Sequence, residues 1–225
     1  MVYIEINHYT KKISKAIVLN NISIKMDKGR VYGFQGENGS GKSMLMRAIC
    51  GLITPTEGEV IIDGKPLGKG NSFPESIGVL IESPGFLSYY SGFKNLQIIA
   101  HIKKIITDET IRATMSKLGL DPWDNKKYGK YSLGMKQKLG IAAAIMEEPE
   151  IVILDEPFNA LDEKSAIVVG DEIRKLRSKN KLVILACHNS QELEHLCDEI
   201  FVIENGEIKE HKECIHIEDC ENEEK

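Results

Sequence analysis

Gly36-Glu37-Asn38-Gly39-Ser40-Gly41-Lys42-Ser43 decides the fold of this chain, because a glycine, four free positions and then Gly-Lys-Ser is the spacing of a phosphate-binding loop. Val31-Tyr32-Gly33-Phe34 before it reads as a short buried strand and Met44 to Cys50 after it as an apolar helix, so the loop sits where a strand hands over to a helix. Phosphates need bare backbone at that point. Gly36, Gly39 and Gly41 let the chain curl until successive N–H groups face inward, and a helix opening at Lys42 adds the positive end of its dipole. The candidate phosphate cradle runs from Gly36 through Glu37, Asn38, Gly39, Ser40 and Gly41 to Met44. Within it Lys42 is expected to reach the β- and γ-phosphates of a nucleotide, and Ser43 to offer its hydroxyl to Mg²⁺. A glycine-rich turn arising by chance would lack the two flanking elements.

A phosphate loop alone suits kinases, GTPases and motor ATPases, so a second motif has to choose among them. Ile151-Val152-Ile153-Leu154 is an uninterrupted aliphatic run, as expected of a central parallel strand buried on both faces. Asp155 stands at its carboxyl end, where such sheets place their ligand chemistry. It is the candidate Mg²⁺ partner. Glu156, next along, is free to polarise an attacking water, since one strand delivers adjacent carboxylates to different parts of a phosphate site. An apolar strand ending in Asp-Glu is common in isolation and carries little weight without its neighbours.

Those neighbours are Tyr131-Ser132-Leu133-Gly134-Met135-Lys136-Gln137 upstream, and Asn159-Ala160-Leu161-Asp162 and His188 downstream. Taken in order with the phosphate loop and the Asp155-Glu156 pair, these motifs resemble those of ABC-transporter ATP-binding subunits, from about the first strand to about Lys209. The resemblance implies an α/β P-loop nucleotide hydrolase with a mostly parallel central sheet, an N-terminal antiparallel β subdomain and an inserted helical subdomain. It also implies ATP and Mg²⁺ as cofactors and a homodimer formed on ATP binding. Each site would join the phosphate loop of one subunit to the signature segment of the other, with Ser132, Leu133, Gly134 and Met135 acting in trans and Ser132 and Gly134 at the γ-phosphate. The physical sense is that Ser132 can N-cap a helix from Leu133 to about Glu147, presenting an anion-binding end; the plainer account is an ordinary capped amphipathic helix. A separate transmembrane permease is the implied partner, and the cytoplasmic face of the cell membrane the implied location.

Several positions depart from the commonest family pattern. Leu133 stands where the usual signature has Gly, and Met135 where it has Gln, which leaves Gly134 as the essential glycine. After the strand-like Ile77-Gly78-Val79-Leu80-Ile81, the residue most of these ATPases supply as Gln is Glu82. That swap resembles the subgroup exporting bacitracin-like and lantibiotic peptides, as does the wording Tyr-Ser-Leu-Gly-Met-Lys-Gln. A carboxylate there adds negative charge beside Mg²⁺, so Glu82 is a candidate metal ligand as well as a solvated loop residue. Tyr9, following the Val2-Tyr3-Ile4-Glu5-Ile6 alternation, is the candidate for stacking on adenine, against a plain surface tyrosine. His188 closes the apolar run Leu182 to Cys187 and suits a γ-phosphate sensor that holds Glu156 and water in line. Asp162, placed just after Glu156, matches the residue the family uses for communication across the dimer.

Length and composition agree. The 225 residues suffice for one domain, read as a nucleotide-binding core with its β subdomain over 1–82 and 149–210, a helical subdomain over 83–148 and an acidic tail over 211–225. No apolar run approaches the ~18 residues of a membrane span, so transport would need another chain, and the first twelve residues show no apolar signal core. A net charge of −5 argues against a nucleic-acid partner. The five cysteines form no Cys-x-x-Cys pair, as reduced cytosolic thiols do. His211, Cys214, His216 and Cys220 could be drawn as a metal site, but their spacing is irregular for a zinc module. Phe86, Leu87, Tyr89 and Tyr90 are unusually apolar for a loop and read either as a satellite core or as a groove for a partner helix. Ile200 to Glu204 with Ile208 about Asn205-Gly206 reads as a closing hairpin.

The reading is an ATP-hydrolysing subunit powering an exporter of peptide antibiotics or other drugs, with a soluble non-transport ABC-type ATPase as the alternative. Ribosome-acting relatives carry two cassettes and DNA-end relatives a long coiled coil, and neither is present. A GTPase would show Asn-Lys-x-Asp, which Asn125-Lys126-Lys127-Tyr128 does not supply.

Overall fold

The structure, a computed structural model, describes residues 2–68, 73–188 and 190–214. The chain opens with two long strands, β1 (Val2–Ile13) and β2 (Ala16–Asp27), paired as a hairpin. With β4 (Glu57–Ile62) and the short β5 (Lys65–Pro66) they form an antiparallel sheet in the order β2-β1-β4-β5. The strand expected to end near Ile6 continues to Ile13, carried past bulges around Tyr9 and Lys11. Bulges bend a strand without ending its ladder.

A second sheet of six strands has the order β10-β9-β3-β8-β7-β6. Its members are β3 (Val31–Gln35), β6 (Ile77–Leu80), β7 (Ile151–Asp155), β8 (Leu182–Cys187), β9 (Glu199–Glu204) and β10 (Glu207–Glu213). All neighbours pair in parallel except β10, which returns antiparallel to β9 about the Asn205-Gly206 turn. Asn205 and Gly206 both take positive φ, 50° and 76°, as a two-residue hairpin of this hand requires. Because β10 extends to Glu213, the segment expected as tail from residue 211 begins as sheet.

The aliphatic runs are explained by what covers each face. Ile151, Ile153, Leu182 and Ile184 turn toward the antiparallel sheet and α1 (Lys42–Ile49), where Tyr32, Phe34, Leu45 and Met46 complete one core. Val152, Leu154, Val183 and Leu185 turn the other way, onto α4 (Leu133–Ile145) and α5 (Glu163–Ser178). A strand buried on both faces has no polar alternation to show. Between β6 and β7 lie α2 (Gly92–Lys103), α3 (Asp108–Lys117) and α4, matching the helical insert read from the sequence. A short α6 (Ser190–Glu194) precedes β9.

Two close approaches fix how that insert sits. A Cβ on Gly78 in β6 would lie 1.7 Å from the Ala144 carbonyl oxygen of α4, and one on Gly140 would lie 2.8 Å from Leu80. Only bare backbone lets helix and strand come that near. Phe86 packs on the core edge-to-face with Tyr128, ring centroids 5.2 Å apart, whereas Leu87 and Tyr89 stay exposed. The apolar loop therefore gives one ring to the core and leaves two side chains at the surface.

No helix of the described residues is long and apolar enough to cross a membrane. No three or more His, Cys, Asp or Glu side chains among the described residues come together as a metal-binding group. His211 stacks on Phe201 at 4.4 Å and pairs with Glu199 at 2.8 Å, a structural commitment. His216, Cys220 and the acidic end lie outside the described residues.

Candidate functional site

The glycine-rich loop leaves β3 at Gln35 and enters α1 at Lys42, as the flanking apolar segments required. Gly36 is obligatory by contact, since a Cβ there would sit 2.3 Å from the Ile203 carbonyl oxygen. Gly41 is obligatory by conformation, with φ of 113°. The turn of the closing hairpin braces the loop, Gly206 N donating to the Ser40 carbonyl at 2.8 Å. Lys42 is buried and folds back on the loop itself, its Nζ donating to the carbonyls of Gly36 at 2.5 Å and Glu37 at 3.0 Å.

That cradle fits a polyphosphate on three observations. Helix α1 has no side-chain cap and no acidic residue in its first turn, so nothing competes with an external anion for its positive end. The Ser40 hydroxyl is buried without a hydrogen-bond partner among the described residues. And the loop opens on a cleft of about 650 Å³ that Asn38, Lys42, Ser43, Glu82, Asp155 and Glu156 help to line.

The acidic wall of the cleft is set by strand register. Asp155 of β7 pairs with Ala186 of β8, so the residues that follow each strand, Glu156 and His188, emerge side by side at the carboxyl edge. Asp155 accepts from the Ser43 hydroxyl at 2.8 Å. Burial pushes the Asp155 carboxyl up from its ordinary value, the Ser43 hydrogen bond works against that, and the neighbouring Glu156 charge pushes it further. A hydroxyl and a carboxylate held this way form an all-oxygen donor set of the kind that suits a hard cation such as Mg²⁺.

Glu156 is held from several sides. Its backbone takes φ of 48°, a conformation uncommon for a residue with a Cβ. Its N–H donates to the Ala186 carbonyl at 2.8 Å, and its own carbonyl accepts from Gln137 Nε2 at 2.9 Å. His188 Nδ1 approaches both carboxylate oxygens, at 3.0 and 3.1 Å. Glu156 and His188, read separately from the ends of two strands, thus meet in the folded chain.

Glu82 follows β6 with φ of 59° and lines the same cleft. Its carboxylate accepts from Arg47 Nη2 at 2.6 Å. The signature residues lie elsewhere. Ser132 caps α4 through the Met135 N–H at 3.2 Å, Leu133 at the helix tip is 72% exposed, and Met135 packs part-buried against the core. Gly134 is set against the Ala160 carbonyl, 2.7 Å from where its Cβ would be. None of Ser132, Leu133, Gly134 and Met135 lines the cleft of its own chain. Asp162 caps α5, accepting from Ser165 N at 2.8 Å, and that bond holds its carboxyl below the usual value.

The expectation for Tyr9 needs correction. Because β1 runs on to Ile13, Tyr9 lies within the strand, fully buried in the core, with its hydroxyl donating to the Ile53 carbonyl at 3.1 Å. It has no open face to give a base. The cleft instead borrows aliphatic wall from Ile17 and Val18 of β2. Sequence reading missed those two, and Arg47, because none stands in a motif; Gln137, inside the signature wording, and Asn159, inside the downstream motif, carried a signal.

Comparison with known proteins bears on the family and the fold. A family model described as ABC transporter matches residues 19–159. The chain is 44% identical over 216 residues to the uncharacterised ABC transporter ATP-binding protein YybJ of Bacillus subtilis (strain 168), covering 96% of this chain and 99% of that one. It is 37% identical to the bacitracin transport ATP-binding protein BcrA of Enterococcus faecalis, over 92% of this chain and 68% of that one. With the lantibiotic transport ATP-binding protein SrtF of Streptococcus pyogenes the identity is 33%, over 93% and 90%. Among solved structures, an ATP-binding subunit of an ABC transporter superposes with TM-score 0.85 at 24% identity, covering 98% of this chain and 92% of that one. A dimeric bacterial ABC transporter cassette, MJ0796, does so with TM-score 0.84 at 23% identity, covering 95% and 100%. At those identities the structural likeness speaks for the fold.

Proposed function

The chain belongs to the ABC transporter family, among its ATP-binding subunits, and from that premise we propose that it hydrolyses ATP as a homodimer beneath a separate transmembrane permease, at the cytoplasmic face of the membrane, to export peptide antibiotics or related drugs. The observation that carries the reading is the convergence at one cleft of Lys42, the Ser43–Asp155 pair at 2.8 Å and Glu156, whose carboxylate His188 meets at 3.0 Å. The substrate class rests on the relatives named for bacitracin and lantibiotic transport.

In this reading Lys42 exchanges its two loop carbonyls for the β- and γ-phosphates, and the N–H groups of the cradle hold the same oxygens. Ser43 and Asp155 hold Mg²⁺, with Glu82 at the rim; the cation, when bound, offsets phosphate charge. Glu156 accepts the proton of the attacking water, and His188 keeps its carboxylate aimed. The γ-phosphate also needs donors from outside the chain, since Ser132 and Gly134 stand away from their own cleft. A second copy supplies them, and Asp162, three residues beyond the cleft-lining Asn159, reports across the interface. Leu133, exposed at the tip of α4, is then covered by the partner's loop. The permease docks on the helical insert, where Leu87, Tyr89, Ile98 and Ile102 leave apolar surface in water.

Gel filtration of Glu156→Gln with and without ATP tests the composite site. ATP is expected to convert monomer to dimer, and Lys42→Ala to abolish the shift. A Glu156→Gln protein that binds ATP yet stays monomeric would overturn the closure of the cassette by nucleotide alone.

A further inference from the structure

Glu82 and Arg47 carry an inference that rests on the placing of Glu82 at the metal site. Arg47 lies four residues beyond Ser43 on α1, and residues at that spacing share a helix face. The helix therefore presents a hydroxyl and a guanidinium to the same wall of the cleft. Glu82 sits between their reaches. Its carboxylate lines the cleft with Ser43 and Asp155, and its charge adds to the forces raising the Asp155 carboxyl. Yet its hydrogen-bonding partner is Arg47 Nη2 at 2.6 Å, while Arg47 Nη1 rests on the Met44 sulfur at 3.8 Å.

We propose that Arg47 is a positioning residue that holds Glu82 off the metal site until Mg²⁺ and nucleotide arrive, so that the carboxylate exchanges a guanidinium for the cation. Three negative groups, Glu82, Asp155 and Glu156, line the wall that must also receive phosphate. Without a counter-ion, the extra carboxylate repels the phosphates and binds cation before nucleotide. Arg47 supplies the counter-ion from the helix that carries the phosphate loop. The pair is open to water, with side chains 34% and 64% exposed, so its hold is weak enough to be displaced. The backbone at Glu82 takes φ of 59°, and its side chain reaches Arg47 on α1.

The competing account is that Arg47, in the last turn of α1, only serves the negative end of the helix. Binding of Mn²⁺ to the ADP complex of the full chain, followed by electron paramagnetic resonance, separates the two without turnover. Arg47→Met is expected to lower the Mn²⁺ concentration for half-saturation by about two- to fivefold, the range over which an exposed ion pair moves an equilibrium. Glu82→Gln is expected to raise it, and Arg47→Met added to Glu82→Gln to change it no further. Arg47→Lys, which keeps the charge, stays near the parent value. If Glu82→Gln raises half-saturation but Arg47→Met does not lower it, the latch is wrong while Glu82 keeps its place at the metal. An equal shift from Arg47→Met in both backgrounds would reduce Arg47 to a distant charge and overturn the proposal. If Glu82→Gln changes nothing, the placing of Glu82 fails first and the latch with it. Thermal unfolding of each variant shows whether a lost metal response is only a lost fold.

Discussion

At the scale of single residues, Tyr9 separates what a sequence position suggests from what packing does with it. The phenol is fully buried in the core that also holds Ile4, Leu19 and Val60, and burial pushes it up to about 12 from an ordinary value of 10.0. Its neutral form is therefore favoured in the folded chain, and the stability this contributes is whole below pH 10 and lost as pH rises through about 12. Tyr9→Phe removes the hydrogen bond to Ile53 and should cost about 1 kcal/mol in urea unfolding near neutral pH. Nucleotide affinity, read by titration calorimetry, should stay within experimental error of the parent. A large loss of affinity without loss of stability would return Tyr9 to the base. Gln137 is the opposite case: its place in the signature wording was legible, but its bond to the Glu156 carbonyl was not, because β7 and α4 meet only in the folded chain.

At the scale of elements, the contact between α4 and β6 ties the signature helix to the strand that leads to Glu82. Gly78 makes that contact possible, with only 1.7 Å between its absent Cβ and the Ala144 carbonyl. Neither backbone can give way without moving a whole element. Gly78→Ala is expected to destabilise the chain by about 3 kcal/mol or more in urea unfolding, the upper end of overpacking effects. A change under 1 kcal/mol would mean that α4 slides on the sheet with ease. In the sequence Gly78 is one glycine in a short apolar strand, and nothing there announces a helix carbonyl overhead. Helix ends fared better. Ser132 before α4 and Asp162 before α5 are the capping residues their types imply, each accepting from the N–H three residues on.

At the scale of the whole molecule, the two faces of α2 have different destinations. Leu96 and Ala100 enter the core, while Ile98 and Ile102 point out, Ile102 with 78% of its surface in water. With Tyr89 they form apolar surface on the helical insert, far in sequence from the phosphate loop. The double variant Tyr89→Glu, Ile102→Glu should leave ATP binding and melting temperature near parental values and should lower co-purification with the proposed permease by tenfold or more, about 1.4 kcal/mol in affinity. Unchanged co-purification would move the docking face elsewhere. The sequence alone determined the phosphate loop, the acidic strand end, the family and the α/β architecture, because each rests on local spacing: glycines where backbone must be bare, a carboxylate at the end of an aliphatic run, a cap before a helix. Only the tertiary structure decided that Tyr9 is core, that Ile17 and Val18 wall the cleft, and that Glu82 pairs with Arg47. Those outcomes depend on where a bulged strand ends and on which elements pack side by side, and contacts between residues distant in sequence leave no periodicity along the chain.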